Sequence, residues 1–256
     1  MHNYICANWK MYKTRQEAGQ TVSSLVSALQ TAELTGTEVV IFPPFTALQA
    51  VAQALESRPG FLIGAQNFYP ALEGAYTGEI SLPMLQDLGC GYVLVGHSER
   101  RHIFAEDDAF VSRKLHFALQ QGLKAILCIG ETLQQRKQNQ VREVLAAQLQ
   151  SALQDLSPAR IQDSLLIAYE PVWAIGTGEV AREKDIAEAH ALVFEQLLSW
   201  FPDKGKQVPI LYGGSVKPEN SAQIMAIDKV HGLLVGGASL KAEAFCQIVQ
   251  NGCKAQ

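Results

Sequence analysis

Glu170 stands at the end of an apolar run, in the segment AYEPVWAIGTG that covers residues 168–178. Burying a carboxylate costs free energy unless the group is paired or has a chemical task. Glu170 is therefore either a structural glutamate, which forms a salt bridge or caps a helix, or a general base. A proline, a tryptophan and two glycines follow it over residues 171–178. That composition is typical of a loop that folds over a bound ligand.

A histidine and a lysine also follow apolar runs. His97 comes directly after YVLVG (92–96), and Lys10 directly after YICANW (4–9). A metal site is disfavoured because no HExxH or comparable ligand spacing surrounds His97. His97 is either a hydrogen-bonded surface residue or an acid or donor opposite Glu170. Lys10 is either a solvated side chain or a fixed positive charge beside the substrate.

Two Gly-Gly pairs, in YGGS (212–215) and VGGASL (235–240), follow further apolar runs. Either pair alone is explained by a tight turn. Together they offer unhindered backbone N–H groups, and the second pair leads into a predicted helix start at Ala238, where an anion is favoured. The two pairs therefore predict a phosphate site.

Eight short apolar runs recur along the chain and predict parallel strands that are covered on both faces. They cover residues 4–9, 38–42, 61–65, 92–96, 124–129, 165–169, 208–212 and 230–235. Helical periodicity lies between them, most clearly over 140–153 and 181–201. Eight such units match a closed (β/α)8 barrel of the α/β class, with one domain over 1–256. An open doubly wound sheet is the rival fold, but no GxGxxG motif opens the first unit.

In a closed barrel, the residues that follow the strands meet at one rim, where barrel enzymes place their chemistry. The predicted fold thus gathers Lys10, His97, Glu99, Glu170 and both glycine pairs around one mouth. The elements and the candidate residues therefore point to the same place on the molecule.

The composition excludes several other functions. The 256 residues are 48% hydrophobic and 18% charged, with a net charge of -4, so no overall positive field attracts nucleic acid or an anionic membrane. The first residues lack the apolar core of a signal peptide, and no apolar run approaches the roughly 18 residues of a membrane span. The cysteines lack metal-ligand spacing, so free thiols in a reducing cytoplasm are expected. They are Cys6, Cys90, Cys128, Cys246 and Cys253.

Eight motifs, in order along the chain, resemble the triosephosphate isomerase family, whose fold is the TIM barrel. They are NWKM (8–11), GAQN (64–67), TGEIS (77–81), VGHSERR (95–101), CIGE (128–131), AYEPVWAIGTG (168–178), YGGSV (212–216) and VGGASL (235–240). The resemblance covers nearly the whole chain. It implies a glycolytic and gluconeogenic enzyme without cofactor or metal, which interconverts dihydroxyacetone phosphate and D-glyceraldehyde 3-phosphate through an enediolate.

The resemblance also implies a role for each candidate residue. Glu170 would move a proton between neighbouring carbons, and His97, as a neutral imidazole, would polarise the carbonyl. Asn8 and Lys10 would act as catalytic and binding groups at the substrate oxygens, with Glu99 as a supporting carboxylate. The phosphate would be held by Gly176, Ser215, Gly236 and Gly237, and residues 171–180 would close over the site as a lid.

The family resemblance further implies a homodimer in which the loop at 66–79, with Thr77, lies beside the active site of the neighbouring subunit. One departure is found after GTG, where this chain has Glu179 and Val180 and the family often has Lys-Thr. The distal hinge of the lid therefore cannot be inferred from the family. Two alternatives remain: another phosphosugar isomerase or lyase on the same barrel, and a catalytically idle barrel that acts as a binding protein.

Overall fold

Eight parallel strands close into a ring within residues 2–30, 32, 34–56, 58–161, 163–175 and 179–254, which the computed structural model describes. They are β1 (Asn3–Asn8), β2 (Thr37–Phe42), β3 (Phe61–Ala65), β4 (Tyr92–Val95), β5 (Lys124–Ile129), β6 (Leu165–Tyr169), β7 (Ile210–Tyr212) and β8 (Gly232–Val235). Each strand pairs with the next along the chain, and β8 pairs with β1, so that Val235 lies opposite Ala7. The predicted closed (β/α)8 TIM barrel is confirmed.

The strand boundaries follow the predicted ones closely. Three strands, β3, β5 and β6, have the predicted bounds. The other five differ by one or two residues, β1 at both ends and the rest at one end. β7 begins at Ile210 and not at 208 because Pro209 has no N–H to donate to the ladder. The Pro209 carbonyl still accepts a hydrogen bond from Ile167 N at 3.0 Å.

Helices fill the connections between the strands. They are α1 (Arg15–Ala28), α2 (Leu48–Ala54), α3 (Leu82–Asp87), α4 (Ser98–His102), α5 (Asp108–Gln120), α6 (Leu133–Lys137), α7 (Val141–Leu153), α8 (Pro158–Ile161), α9 (Glu183–Trp200), α10 (Pro218–Met225) and α11 (Ala242–Lys254), with 3-10 helices at Phe45–Ala47, Val172–Ala174, Gly205–Gln207 and Gly237–Leu240. The two segments with the clearest helical periodicity form α7 and α9, and α9 buries Ile186, Val193 and Leu197 as their spacing predicts. None of the described helices is long and apolar enough to cross a membrane.

Alternation along the strands divides the core into two layers. Side chains on one face of the strands fill the inside of the ring, among them Cys6, Phe42 and Cys128. Side chains on the other face, such as Ile5 and Ile41, pack in a second cluster with residues of the helices. All five cysteines are free thiols. Because a close-packed interior resists deformation, the filled ring holds the strand ends in fixed positions around the rim.

His190, on α9, is a fully buried histidine that packs edge-on against Tyr169. Its Nδ1 donates to the Lys229 carbonyl at 3.0 Å, while its Nε2 is buried without a hydrogen-bond partner among the described residues. Burial lowers the pKa of His190 from 6.5 to about 4, because a charged ring would lose its hydration. The folded chain therefore keeps this ring neutral in mild acid.

Acid is expected to destabilise the fold through His190. Between pH 6.5 and pH 4, the unfolded chain binds a proton at this position that the folded chain does not bind. The free energy of unfolding therefore decreases as the pH is lowered through this range. A His190→Gln variant retains a donor for Lys229 but has no such proton to bind. In urea unfolding, the free energy of unfolding of the parent, relative to that of the variant, should fall by about 2 kcal/mol between pH 7 and pH 5. Parallel stability curves for the two proteins would contradict this explanation.

Candidate active site

A cavity of about 530 Å³ opens at the carboxyl-terminal ends of the strands. It brings together candidate residues at the end of β1 or after β1, β4, β6, β7 and β8, namely Asn8, Lys10, His97, Glu170, Ser215, Gly236 and Gly237. Gly176, which the resemblance predicts as a phosphate ligand, lies outside the described residues, as do Thr177 and Gly178. One cavity thus holds a carboxylate, an imidazole and an ammonium group.

Glu170 directly follows β6 and is only 2% exposed. Its Oε1 lies 3.1 Å from His97 Nε2, and its Oε2 accepts a hydrogen bond from Ser98 N at 2.9 Å. Burial opposes ionisation of Glu170, but His97 and the Ser98 amide outweigh it, so the pKa of Glu170 lies below its ordinary value. The carboxylate is therefore charged at neutral pH and can accept a proton.

Two glycines that directly follow the flanking strands leave room for Glu170. A Cβ on Gly130 would lie 1.7 Å from the Glu170 carbonyl oxygen, and a Cβ on Gly213 would lie 2.8 Å from Glu170 Cγ. Both distances are shorter than van der Waals contact, so a side chain at either position would displace the carboxylate. Neither role was predicted from the sequence. The available signal was their location, one residue after β5 and one residue after β7.

His97 caps α4, because its Nδ1 accepts the backbone N–H of Glu99 at 3.3 Å. This bond leaves the proton of the neutral ring on Nε2, which faces Glu170. Burial acts to lower the pKa of His97, but the carboxylates of Glu170 and Glu99 together outweigh it and raise the pKa. The upward shift depends mainly on Glu170 and lasts only while that side chain stays beside the ring.

Lys10 has a φ of 52°, in the left-handed region that residues other than glycine rarely adopt. Its backbone N donates to Asn8 Oδ1 at 3.0 Å, and its carbonyl accepts from Gln66 Nε2 at 2.8 Å. Its Nζ donates to Glu99 Oε1 at 2.8 Å. These bonds hold the strained backbone and fix the ammonium group at the cavity wall. The part that Gln66 plays here was not predicted from the sequence.

Both glycine pairs line the same cavity. A Cβ at Gly237 would meet nothing within 4 Å, and a Cβ at Gly236 would lie 3.4 Å from Lys10 Cε. The backbone is therefore accessible at this point, and a cation lies next to it. The chain then forms the 3-10 helix Gly237–Leu240, which starts one residue before the predicted helix start at Ala238. Such accessible backbone beside a positive charge can bind an anion.

The chain after Glu170 turns through the 3-10 helix Val172–Ala174. Within it, Trp173 Nε1 donates to Glu131 Oε1 at 2.8 Å, and the Tyr169 hydroxyl donates to the same oxygen at 3.2 Å. Glu131 is fully buried and comes two residues after the end of β5. Its contact with Trp173 was not predicted, although Glu131 repeats the pattern of Glu170, a carboxylate at the end of a buried strand.

A carboxylate, an imidazole and an ammonium group beside an accessible glycine backbone define an enzyme of the (β/α)8-barrel class, with its site at the usual rim. A family model described as triosephosphate isomerase matches residues 3–252. The triosephosphate isomerase of Nitratidesulfovibrio vulgaris (strain DP4) is 53% identical over 249 residues, which cover 97% of this chain and 99% of that protein. The triosephosphate isomerase of Chloroflexus aurantiacus is 47% identical over 246 residues, with 96% and 97% covered. The chain belongs to the triosephosphate isomerase family and is an isomerase.

Proposed function

We propose that this enzyme interconverts dihydroxyacetone phosphate and D-glyceraldehyde 3-phosphate, with Glu170 as the base and His97 as the electrophile. The observation that carries the proposal is the distance of 3.1 Å between Glu170 Oε1 and His97 Nε2, at a cavity that Lys10 and both glycine pairs also line. Membership of the family supports the assignment of the substrate.

The reaction moves one proton between neighbouring carbons. Glu170 removes a proton from the carbon beside the carbonyl, and the electron pair of the C–H bond moves toward the carbonyl oxygen to give an enediolate. His97 donates a hydrogen bond from Nε2 to that oxygen, and the ammonium group of Lys10 offsets its negative charge. Glu170 then returns the proton to the other carbon, while the proton of the neighbouring hydroxyl passes by way of His97 to the former carbonyl oxygen. The hydroxyl oxygen thereby becomes the new carbonyl, and no atom is gained or lost.

Movement of Glu170 explains how His97 acts as a neutral donor. To reach the substrate, the carboxylate must give up the Ser98 amide and the His97 ring, which it contacts at 2.9 Å and 3.1 Å. Once it leaves, the main influence that raises the pKa of His97 is lost, and burial favours the neutral ring. The same step therefore delivers the base and keeps the electrophile uncharged.

The phosphate end of the site has to prevent a side reaction. An enediolate can break the adjacent C–O bond, so that phosphate leaves with the electron pair and the remaining enol becomes methylglyoxal. Ser215, Gly236 and Gly237, together with Gly176, would hold the phosphate through backbone N–H groups and keep that bond in the plane of the enediolate. Residues 171–180 would cover the site and exclude water. For positions 176–178 this proposal rests on the family resemblance.

A coupled assay with D-glyceraldehyde 3-phosphate tests the proposed reaction. The folded protein should form dihydroxyacetone phosphate without an added cofactor or metal. Folded protein without activity would support the idle binding barrel, and a higher kcat/KM for a different phosphosugar would support another isomerase of the same fold.

We also propose that the enzyme is a cytoplasmic homodimer. The loop at 66–79 carries Thr77 on the surface, and Leu72 and Tyr76 in the same loop are 51% and 46% exposed. Met11, beside the catalytic lysine in the chain, is 94% exposed. Exposed apolar side chains of this size are typical of surfaces that a partner covers. The free cysteines support a reducing compartment.

A Thr77→Arg variant should disrupt the dimer. The parent is expected to elute as a dimer in size-exclusion chromatography, and the variant as a monomer, because a buried, unpaired guanidinium is costly at an interface. Since the loop would lie beside the neighbouring site, kcat/KM should fall by at least about tenfold. Ser23→Arg, at an exposed position on α1, serves as the control. A monomeric parent with full activity would rule the dimer out.

A further inference from the structure

The turn that carries His97 begins at Gly96, where the chain leaves β4. Gly96 is buried and has a φ of 71°, in the left-handed region that glycine adopts without strain. β4 pairs with β5 only as far as Val95, which lies opposite Leu127. Because a buried carbonyl without a hydrogen bond is costly, the backbone beyond Val95 needs partners outside the strand ladder.

Arg101, on α4, supplies such partners. Its Nε donates to the Gly96 carbonyl at 2.8 Å, and its Nη2 donates to the Cys128 carbonyl of β5 at 3.4 Å. Its backbone N donates to the His97 carbonyl at 3.2 Å. The side chain is only 9% exposed, and a Cβ on Gly96 would lie 2.9 Å from Nη2. The guanidinium therefore packs tightly against the turn and connects it to β5.

The strand β5 also holds the backbone of Glu170. One residue after Cys128, the Ile129 carbonyl accepts the Glu170 backbone N–H at 2.7 Å. Since β5 lies between β4 and β6 in the ring, Arg101 connects the turn before His97 to the strand that holds Glu170. The distance of 3.1 Å between His97 Nε2 and Glu170 Oε1 therefore depends on how firmly this turn is held to β5.

We propose that Arg101 is a positioning residue, which fixes the His97 ring relative to Glu170 and to the carbonyl of the substrate. This inference rests on the proposed function, in which His97 donates to the carbonyl oxygen of a triose phosphate. Rotation of the peptide before His97 would move the ring and weaken that bond. The planar guanidinium suits the task because it presents several donors in a fixed geometry and reaches two carbonyls at once, which an ammonium group does not.

Two substitutions of Arg101 test whether both carbonyl contacts are needed. Arg101→Met retains an unbranched side chain but has no donor, and Arg101→Lys keeps the charge without the planar fork. In the methionine variant, kcat per folded molecule should fall by about tenfold to a hundredfold, while KM changes by less than about twofold. The lysine variant should recover only part of this loss.

The carbonyl stretching frequency of bound dihydroxyacetone phosphate separates positioning from stability. A hydrogen bond that polarises the carbonyl lowers this frequency. In Arg101→Met the frequency should therefore lie closer to that of the free substrate than it does in the parent. Loss of folded protein would reduce the intensity of the bound signal but would leave its frequency unchanged.

Asp108 and Arg142 provide the control variants. Arg101 Nη1 also lies 2.5 Å from Asp108 Oδ1, but the Asp108 side chain is 46% exposed. Asp108→Asn removes the charge of this ion pair and keeps an acceptor. Arg142→Met removes an exposed arginine that lies 3.7 Å from Glu195. Because exposed ion pairs contribute little, both variants should change kcat by less than about twofold.

A measurement without substrate keeps the inference separate from the proposed reaction. In nitrogen NMR of protein with isotope-labelled histidine, the neutral His97 ring should show one tautomer, whose Nδ1 accepts the Glu99 N–H. In Arg101→Met the signals of the two ring nitrogens should move toward each other, because the ring loses that bond part of the time. An inactive parent would refute the proposed reaction, and the ring signals would still decide the role of Arg101.

Three results would overturn the role of Arg101. Unchanged ring signals or an unchanged carbonyl frequency in folded Arg101→Met would do so, even if the melting temperature fell. A loss in Asp108→Asn as large as that in Arg101→Met would assign the effect to the ion pair. Full recovery by Arg101→Lys would show that charge alone suffices.

Discussion

Glu170→Gln is expected to lower kcat for triose phosphate isomerisation by at least about a hundredfold in both directions, because general acid–base groups contribute roughly 10² to 10⁴. The amide occupies the same space between Gly130 and Gly213 and can still accept the Ser98 N–H. It cannot accept a carbon-bound proton as a carboxylate does. The variant should therefore fold and bind the substrate, and the loss should appear in kcat.

The coupled assay, run in each direction with circular dichroism as a check of folding, measures this effect. Glu195→Gln is the control, because Glu195 is 61% exposed and distant in sequence from the strand ends. A fall of less than about tenfold in the Glu170 variant, against the range expected for a general base, would mean that another group removes the proton.

Lys10→Met is expected to lower kcat/KM by about 10² to 10³, the range found when one group that stabilises an oxyanion is removed. The methionine side chain has a similar length but carries no charge for the developing enediolate. It also leaves Glu99 without its partner at 2.8 Å. Both effects act at the cavity wall and leave the barrel core unchanged.

Lys13→Met provides an unusually close control for this variant. Lys13 also has a left-handed backbone, with a φ of 74°, so both substitutions exchange a lysine for a methionine at the same kind of backbone conformation. Its ammonium group contacts Thr21 at 2.7 Å and the Trp9 ring, and it does not line the active-site cavity. Similar losses in the two variants would show that the effect does not depend on the charge of Lys10 at the cavity.

The barrel and the gathering of the candidate residues at one rim could be predicted from the sequence for one physical reason. Buried strands are short apolar runs, and ring closure brings the residue after each run to a common rim. Lys10, His97 and Glu170 therefore share one cavity although they lie far apart in the chain. Local chemistry determines the exact ends of the strands. At Pro209, for example, the missing N–H places the start of β7 at Ile210.

Contacts that depend on distances between side chains could not be predicted in this way. The link from Trp173 through Glu131 and Arg136 to Asp185 joins the connections that follow β5 and β6, and the types of these residues do not show which side chains meet. The tautomer of His97 likewise depends on where the Glu99 amide points. The phosphate contact of Gly176 and the dimer contact of Thr77 stay predictions.

The space that Gly130 and Gly213 leave around Glu170 has an evolutionary consequence. Neither glycine has a side chain that could act on a substrate, yet a single added methyl group at either one would meet the backbone or side chain of Glu170. Purifying selection should therefore act on these two positions as strongly as on Glu170 itself. Neutral substitutions in this part of the barrel are expected at the outward-facing residues of the helices, where an added atom meets only solvent.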